Sequence, residues 1–176
     1  MIKRFMALVI LCLSITVVAQ AEGLSEYRMS SGDLIKIQVY GEEELTIETR
    51  LSDAGTISYP LLGELRVLGM TTGQLSTYIT DELLNGYLLD PSVSVAILQY
   101  REFYIDGAVK SPGGYPYQPG LTLQRAVSLA GGFTERASSS KFYRIKEGED
   151  SSRPVKVNLN SPIQPGDVIT IEESFF

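Results

Sequence analysis

The sequence predicts an α+β fold made of two small modules, each a sheet crossed by one helix. Three features predict it. Runs of about five to seven residues alternate apolar and polar side chains, two other stretches carry apolar residues at helical spacing, and Gly, Pro or Asn stands at nearly every boundary between them.

Residues 34–40 form the first expected strand, which alternates, is rich in β-branched side chains and is launched by the Ser31-Gly32-Asp33 turn. Residues 47–51 and 56–59 flank Ser52-Asp53-Ala54-Gly55, which predicts a hairpin with Gly55 in the left-handed conformation. Leu75, Tyr78, Ile79 and Leu83 then recur on one helical face. Thr71 or Thr72 supplies the cap and Asn85-Gly86 the stop. Asp90-Pro91 turns the chain into a closing strand at residues 92–98.

The second module begins with a strand at residues 103–109, a tight turn at Ser111-Pro112-Gly113-Gly114 and a short return at Tyr115-Pro116-Tyr117. Leu123, Ala126, Val127 and Ala130 share a helical face; Thr122 is the expected cap and Gly131-Gly132 the end. Further strands are expected at residues 141–146, 154–159 and 168–172, with residues 138–140 and 148–152 as polar loops. Two strands, a helix and more strands describe a grasp-like sheet with the helix laid across one face.

Composition narrows the chemistry. In 176 residues, 44% hydrophobic and 20% charged, there is no histidine and one cysteine, Cys12. That removes the usual ligands of zinc and transition metals and the usual base of a hydrolytic triad. The formal charge of −6 argues against a nucleic-acid partner, because an acidic chain gains nothing by displacing counterions from phosphates.

Residues 1–21 read as a secretory signal peptide: a basic start at Lys3-Arg4, an apolar stretch, and Ala19-Gln20-Ala21 in the small-x-small form of a cleavage site. The apolar stretch is shorter than the ~20 residues needed to span a bilayer. Lipidation at Cys12 is disfavoured by the bulky Leu11 before it. Cleavage removes two bases and no acid, so the mature chain carries a formal −8 and no cysteine. Without disulfides it must be held by packing, strand pairing or subunit contacts.

A short echo links the two ends, Gly32-Asp33-Leu34-Ile35-Lys36-Ile37 and Gly166-Asp167-Val168-Ile169-Thr170-Ile171. Alone it is a common turn before a strand. Set among its neighbours it becomes specific. Tyr27, Gly32-Asp33, Gly55-x-Ile57-x-x-Pro60-Leu61-x-Gly63, Gly69 and Asp90-Pro91-x-Val93-x-Val95 resemble, in order, the export module of the outer-membrane polysaccharide export (Wza-like) family. Gly107-x-Val109-x-x-Pro112-Gly113-x-Tyr115, Leu121-Thr122-Leu123, Ala126, Ala130-Gly131-Gly132 and Pro165-Gly166-Asp167-Val168-Ile169 resemble that family's soluble-ligand-binding β-grasp (SLBB) module. With residues 1–21 read as signal peptide, the resemblance implies a polysaccharide-export α/β module at 22–99 and a β-grasp-like SLBB domain at 100–176.

It also implies a function without catalysis or cofactor. Family members assemble as homo-oligomeric rings in the periplasm at the outer membrane, and the lumen conducts a capsular polysaccharide or exopolysaccharide. The implied partners are the polysaccharide itself and an inner-membrane polysaccharide co-polymerase. Because the sequence stops at Phe176, without the second β-grasp module and amphipathic helix of long members, a separate outer-membrane β-barrel partner is expected. A further departure is Ser31, where the family more often has proline, and only a looser turn is expected there.

Three other readings carry less weight. A barrel made by this chain needs strands of roughly ten residues, longer than these runs. A carbohydrate-binding module that closes no channel is supported by the aromatic supply, of which Tyr104, Tyr115 and Tyr117 are candidate glycan-facing residues. An enzyme would have to use Glu42-Glu43-Glu44, Asp53, Asp90, Asp106 or Asp167, whose separations nothing in the sequence sets and whose aspartates sit in turn-like contexts. The glycines and prolines of the motifs are therefore expected to be scaffold, and valine at Gly132 is expected to cost about 1 kcal/mol or more if φ there is positive.

Overall fold

The computed structural model describes residues 27–148, 150 and 153–174, so the signal peptide, Cys12, part of the expected 148–152 loop and Phe176 lie outside the described residues. The first module runs β1 (Leu34–Val39), a 3-10 turn (Glu43–Leu45), β2 (Ile47–Arg50), β3 (Thr56–Tyr59), β4 (Gly63–Arg66), α1 (Thr72–Leu84) and β5 (Val93–Gln99). Strands order as β2-β1-β5, all antiparallel, and β3 with β4 forms a separate two-stranded ribbon.

The alternation in β1 is a record of burial. Ile35, Ile37 and Val39 point into the core with Leu75, Ile79 and Leu83 of α1, and Lys36 and Gln38 point outward. Each of these buried aliphatic side chains contributes about 1.5–3 kcal/mol by leaving water. Thr71 is the cap. Its hydroxyl accepts the Gln74 N–H while the Gln74 side chain accepts the Thr71 N–H, closing a capping box.

The expected hairpin between residues 47–51 and 56–59 does not form. Gly55 does take a φ of +72°, and the turn closes through Ser52 and Thr56, but β2 pairs with β1 and β3 pairs with β4. Turn chemistry reverses the chain without choosing its partner. The Gly55 carbonyl accepts N–H groups from Val67 and Leu68, which draws β4 to β3 instead.

The second module runs β6 (Glu102–Gly107), β7 (Gly113–Pro116), α2 (Leu123–Leu129), β8 (Ala137–Ile145), β9 (Val155–Val157) and β10 (Val168–Glu173). Its five strands order as β7-β6-β10-β8-β9, with β6 and β10 parallel and the remaining pairs antiparallel. The first and last strands of the module thus lie side by side at its centre, the β-grasp arrangement. Phe103, Ile105, Ile169 and Ile171 pack with Leu123, Ala126 and Val127 of α2. Among the described residues no helix packs on the opposite sheet face.

Three further expectations are corrected. Residues 138–140 are strand, because β8 begins at Ala137 and pairs with β10 at Glu173, while the buried Ser138 hydroxyl accepts N–H groups from Ser140 and Lys141. Thr122 stands at the α2 cap position without capping by its side chain; the Leu123 and Gln124 N–H groups donate to the Ser161 and Leu159 carbonyls. Asp106 lies within β6 and not in a turn. No described helix is long and apolar enough to cross a membrane.

Candidate functional site

The echoing Gly-Asp pairs are one turn built twice. Asp33 N–H donates to the Ser30 carbonyl at 3.2 Å while Ser30 N–H donates to Asp33 Oδ2 at 2.9 Å. Asp167 N–H donates to the Gln164 carbonyl at 3.2 Å, and Gln164 N–H donates to Asp167 Oδ2 at 2.8 Å. Gly32 and Gly166 hold φ of +90° and +82°, angles that glycine adopts without a Cβ clash. Each turn launches a core strand, β1 or β10.

Both turns border Arg101, in the short link between β5 and β6. A Cβ on Gly32 would lie 3.6 Å from the Arg101 Cβ, and one on Gly166 would lie 3.0 Å from the Arg101 Nε and 2.8 Å from the Glu147 carboxylate. Arg101 N–H donates to Asp33 Oδ1 at 2.9 Å, and its guanidinium donates to the Tyr27 hydroxyl at 2.5 Å and reaches Asp33 Oδ2 at 3.4 Å. On the side of the second module it pairs with Glu147 at 2.5 Å. Asp33 is fully buried, and its carboxyl oxygens accept from Tyr27, Ser30 and Arg101 together.

Burial pushes the Tyr27 phenol well above its ordinary value, and the hydrogen bond to Asp33 pushes it further, so Tyr27 stays a donor. Tyr100 packs edge-on against Tyr27 at 4.8 Å and against Tyr117 at 5.3 Å, carrying the seam into the second core. Burial also raises Tyr117 and Asp167; for Asp167 the Gln164 N–H and the Arg144 charge pull the other way without cancelling it. Among the described residues no group of three or more His, Cys, Asp or Glu is placed to hold a metal ion.

The remaining motif residues are distributed through the scaffold. Gly55 and Gly63 bracket β3 and the turn into β4 in left-handed conformations, around Pro60 and the exposed Leu61, whose own φ is +65°. Pro91 is buried beside the exposed Asp90, and Pro165 is buried before Gly166. Gly107 is required by contact: a Cβ there would lie 2.1 Å from the Ile171 carbonyl oxygen. Ala130 and Gly132 offer their carbonyls to the N–H groups of Ser111 and Lys110, tying the end of α2 to the turn that holds Pro112 and Gly113, with Gly131 between them at φ +79°. Ser31 ties its hydroxyl to the Asp53 carbonyl at 3.1 Å.

Of the three candidate glycan-facing tyrosines, two are occupied. Tyr115 stacks on Phe103 and its hydroxyl donates to the Ser111 carbonyl at 2.6 Å, while Tyr117 is half-buried against Tyr100. Tyr104 alone is exposed, on the sheet face opposite α2. Sequence reasoning missed Arg101 and Glu147. Nothing local marks an arginine between two strands as the meeting point of two distant turns, although the repeated Gly-Asp was the visible trace of it.

Comparison with known proteins follows the same division of the chain. Residues 21–98 match the family described as polysaccharide biosynthesis/export protein, and residues 103–156 match the SLBB domain. The exopolysaccharide production protein ExoF of Rhizobium meliloti is 35% identical over 133 residues, covering 68% of this chain and 31% of that protein. The EPS I polysaccharide export outer membrane protein EpsA of Ralstonia nicotianae is 26% identical over 184 residues, covering 84% of this chain and 47% of its own length. The polysialic acid transport protein KpsD of Escherichia coli is 25% identical over 137 residues, covering 77% and 24%. The chain spans less than half the length of each of these relatives.

Proposed function

Because this chain belongs to the outer-membrane polysaccharide export family, we propose that it is a non-catalytic component of a polysaccharide export machine, placed in the periplasm at the outer membrane. In this reading copies of the chain close a ring whose lumen passes a capsular polysaccharide or exopolysaccharide. An inner-membrane polysaccharide co-polymerase meets the ring on one side and a separate β-barrel serves it in the outer membrane.

One observation carries the reading: an export module and an SLBB module follow each other in the family's order and are joined by a buried, ion-paired seam. A ring subunit needs such a joint, because neighbouring copies superpose only if the angle between modules is the same in each. Supporting it, ExoF, EpsA and KpsD are named for polysaccharide production, export or transport.

Deleting the gene and measuring extracellular polysaccharide tests the reading. Loss of the polymer outside the cell, restored by the intact chain, is the expected result. An undiminished extracellular matrix in a strain without a paralogue would overturn it. A second reading, a carbohydrate-binding accessory that closes no ring, is favoured by the exposed Tyr104 ring. The mass of the mature protein at micromolar concentration separates the two, since an accessory acts as a monomer and a conduit does not.

A further inference from the structure

We infer that the uncovered face of the second sheet, centred on Tyr104, is a stacking surface for the polysaccharide and selects neutral or amino sugars over acidic ones; this rests on the export reading above. Along β6 the side chains alternate. Phe103 and Ile105 enter the core, and Glu102, Tyr104 and Asp106 stand on the open face.

The register leaves the Tyr104 ring without an ordinary cross-strand neighbour on one side. Its partner on β10 is Val168, but its partner on β7 is Gly114. A Cβ at Gly114 would lie 3.0 Å from Tyr104 Cε1 and 2.5 Å from Glu102 Oε2, so the ring and that carboxylate lie against bare backbone. The glycine positions the ring, and 50% of the tyrosine stays exposed. An aromatic residue on a sheet face ordinarily buries itself against a cross-strand side chain. This one is supported from below and left open above, as a sugar platform requires, because the C–H face of a pyranose covers apolar ring area while its hydroxyls stay in water.

Around the ring lies an open groove of about 440 Å³ lined by Tyr104, Asp106, Pro112, Gly113 and Val168. That volume falls within the roughly 300–1,000 Å³ of small-molecule sites. Among the described residues no lysine or arginine lines it. Asp106 Oδ1 accepts the Gly107 N–H at 2.6 Å, which orients the carboxylate of this groove-lining residue. Ionised carboxylates only accept hydrogen bonds, so Asp106 and Glu102 match sugar hydroxyls or an ammonium group and repel a uronate or sialate.

The test titrates the full mature chain with cello-oligosaccharides, chitosan oligomers and oligogalacturonate, following isotope-labelled amide and tyrosine signals by NMR. The expected result is weak binding of the first two, with shifts at Tyr104, Asp106, Gly113 and Val168, and none with oligogalacturonate. Tyr104→Ala should weaken binding by about tenfold or more while Tyr104→Phe retains it, since stacking needs the ring and not the hydroxyl. Asp106→Asn should admit oligogalacturonate. Equal binding by Tyr104→Ala at an unchanged melting temperature, equal binding of oligogalacturonate by the wild type, or no binding of any probe would each overturn the inference. A deletion strain that still loses its extracellular polysaccharide would then show that the export reading stands and that this surface alone was misassigned.

Discussion

Asp33 and Arg101, 68 residues apart, are joined twice: the Arg101 N–H donates to Asp33 Oδ1 at 2.9 Å, and the Arg101 guanidinium reaches Asp33 Oδ2 at 3.4 Å. The carboxylate lies in the first module and the arginine opens the second, so this pair sets the angle between them. Asp33→Ala strands the Ser30 and Arg101 N–H groups, the Tyr27 hydroxyl and part of a guanidinium in a buried site. The expected loss is about 3–5 kcal/mol, read from urea midpoints. Glu147→Gln, which breaks the ion pair at its half-exposed end, should cost less than about 1 kcal/mol. Equal costs for the two substitutions would show that the seam is not centred on Asp33.

Two glycines should respond very differently to a side chain. At Gly107 a methyl group meets the Ile171 carbonyl oxygen at 2.1 Å and must push β6 away from β10, so Gly107→Ala is expected to prevent folding of the second module or cost more than about 3 kcal/mol. Gly132 has φ +91° and nothing within 4 Å of a built Cβ. Gly132→Val therefore carries only the conformational penalty, about 1–2 kcal/mol, which a lowered melting temperature would report.

The two helix starts differ in the same testable way. Thr71 closes a capping box with Gln74, so Thr71→Ala should cost about 1 kcal/mol. Thr122 makes no capping bond from its side chain because the Ser161 and Leu159 carbonyls take the N–H groups of α2. Thr122→Ala should be close to neutral in the same denaturation assay.

Asp167 should give stability a pH dependence of defined sign. Burial raises its pKa above the ordinary 3.8, so the folded chain holds this proton more tightly than the unfolded chain does. That contribution is complete below the unfolded value and is lost as pH rises through the higher folded one. Asparagine keeps an acceptor for the Gln164 N–H and does not titrate. The stability of Asp167→Asn relative to the wild type should therefore improve as pH is raised from about 3 to about 7; a flat difference, or one of opposite slope, would contradict the assignment.

Much of the fold was legible in the sequence. The alternation of residues 34–39 and of 103–107, and the helical spacing of Leu75, Ile79 and Leu83, report which side of each element meets a core. Glycine stops mark the ends of both helices, and the capping Thr71 marks the start of α1, because the backbone conformations needed there are local. Even the paired Gly-Asp turns could be read, each being closed by its own neighbours.

Partner choice was not legible, because it is settled between residues far apart. Whether β2 joins β3 or β1 depends on which edge the core offers, and the same turn at residues 52–55 serves either. Serines 138–140 read as a loop because the pairs that frame them, Ala137 with Glu173 and Phe142 with Ile171, are made with β10, a strand distant in sequence. Arg101 has no sequence signature, since its role exists only where Tyr27, Asp33 and Glu147 converge on it. The sequence by itself determined both helices, most of the strands, their order and their buried faces, all properties of short stretches of chain; tertiary structure alone decided β4, the start of β8, the pairings, the seam and the open face at Tyr104, because burial energy is shared among segments that no local pattern connects.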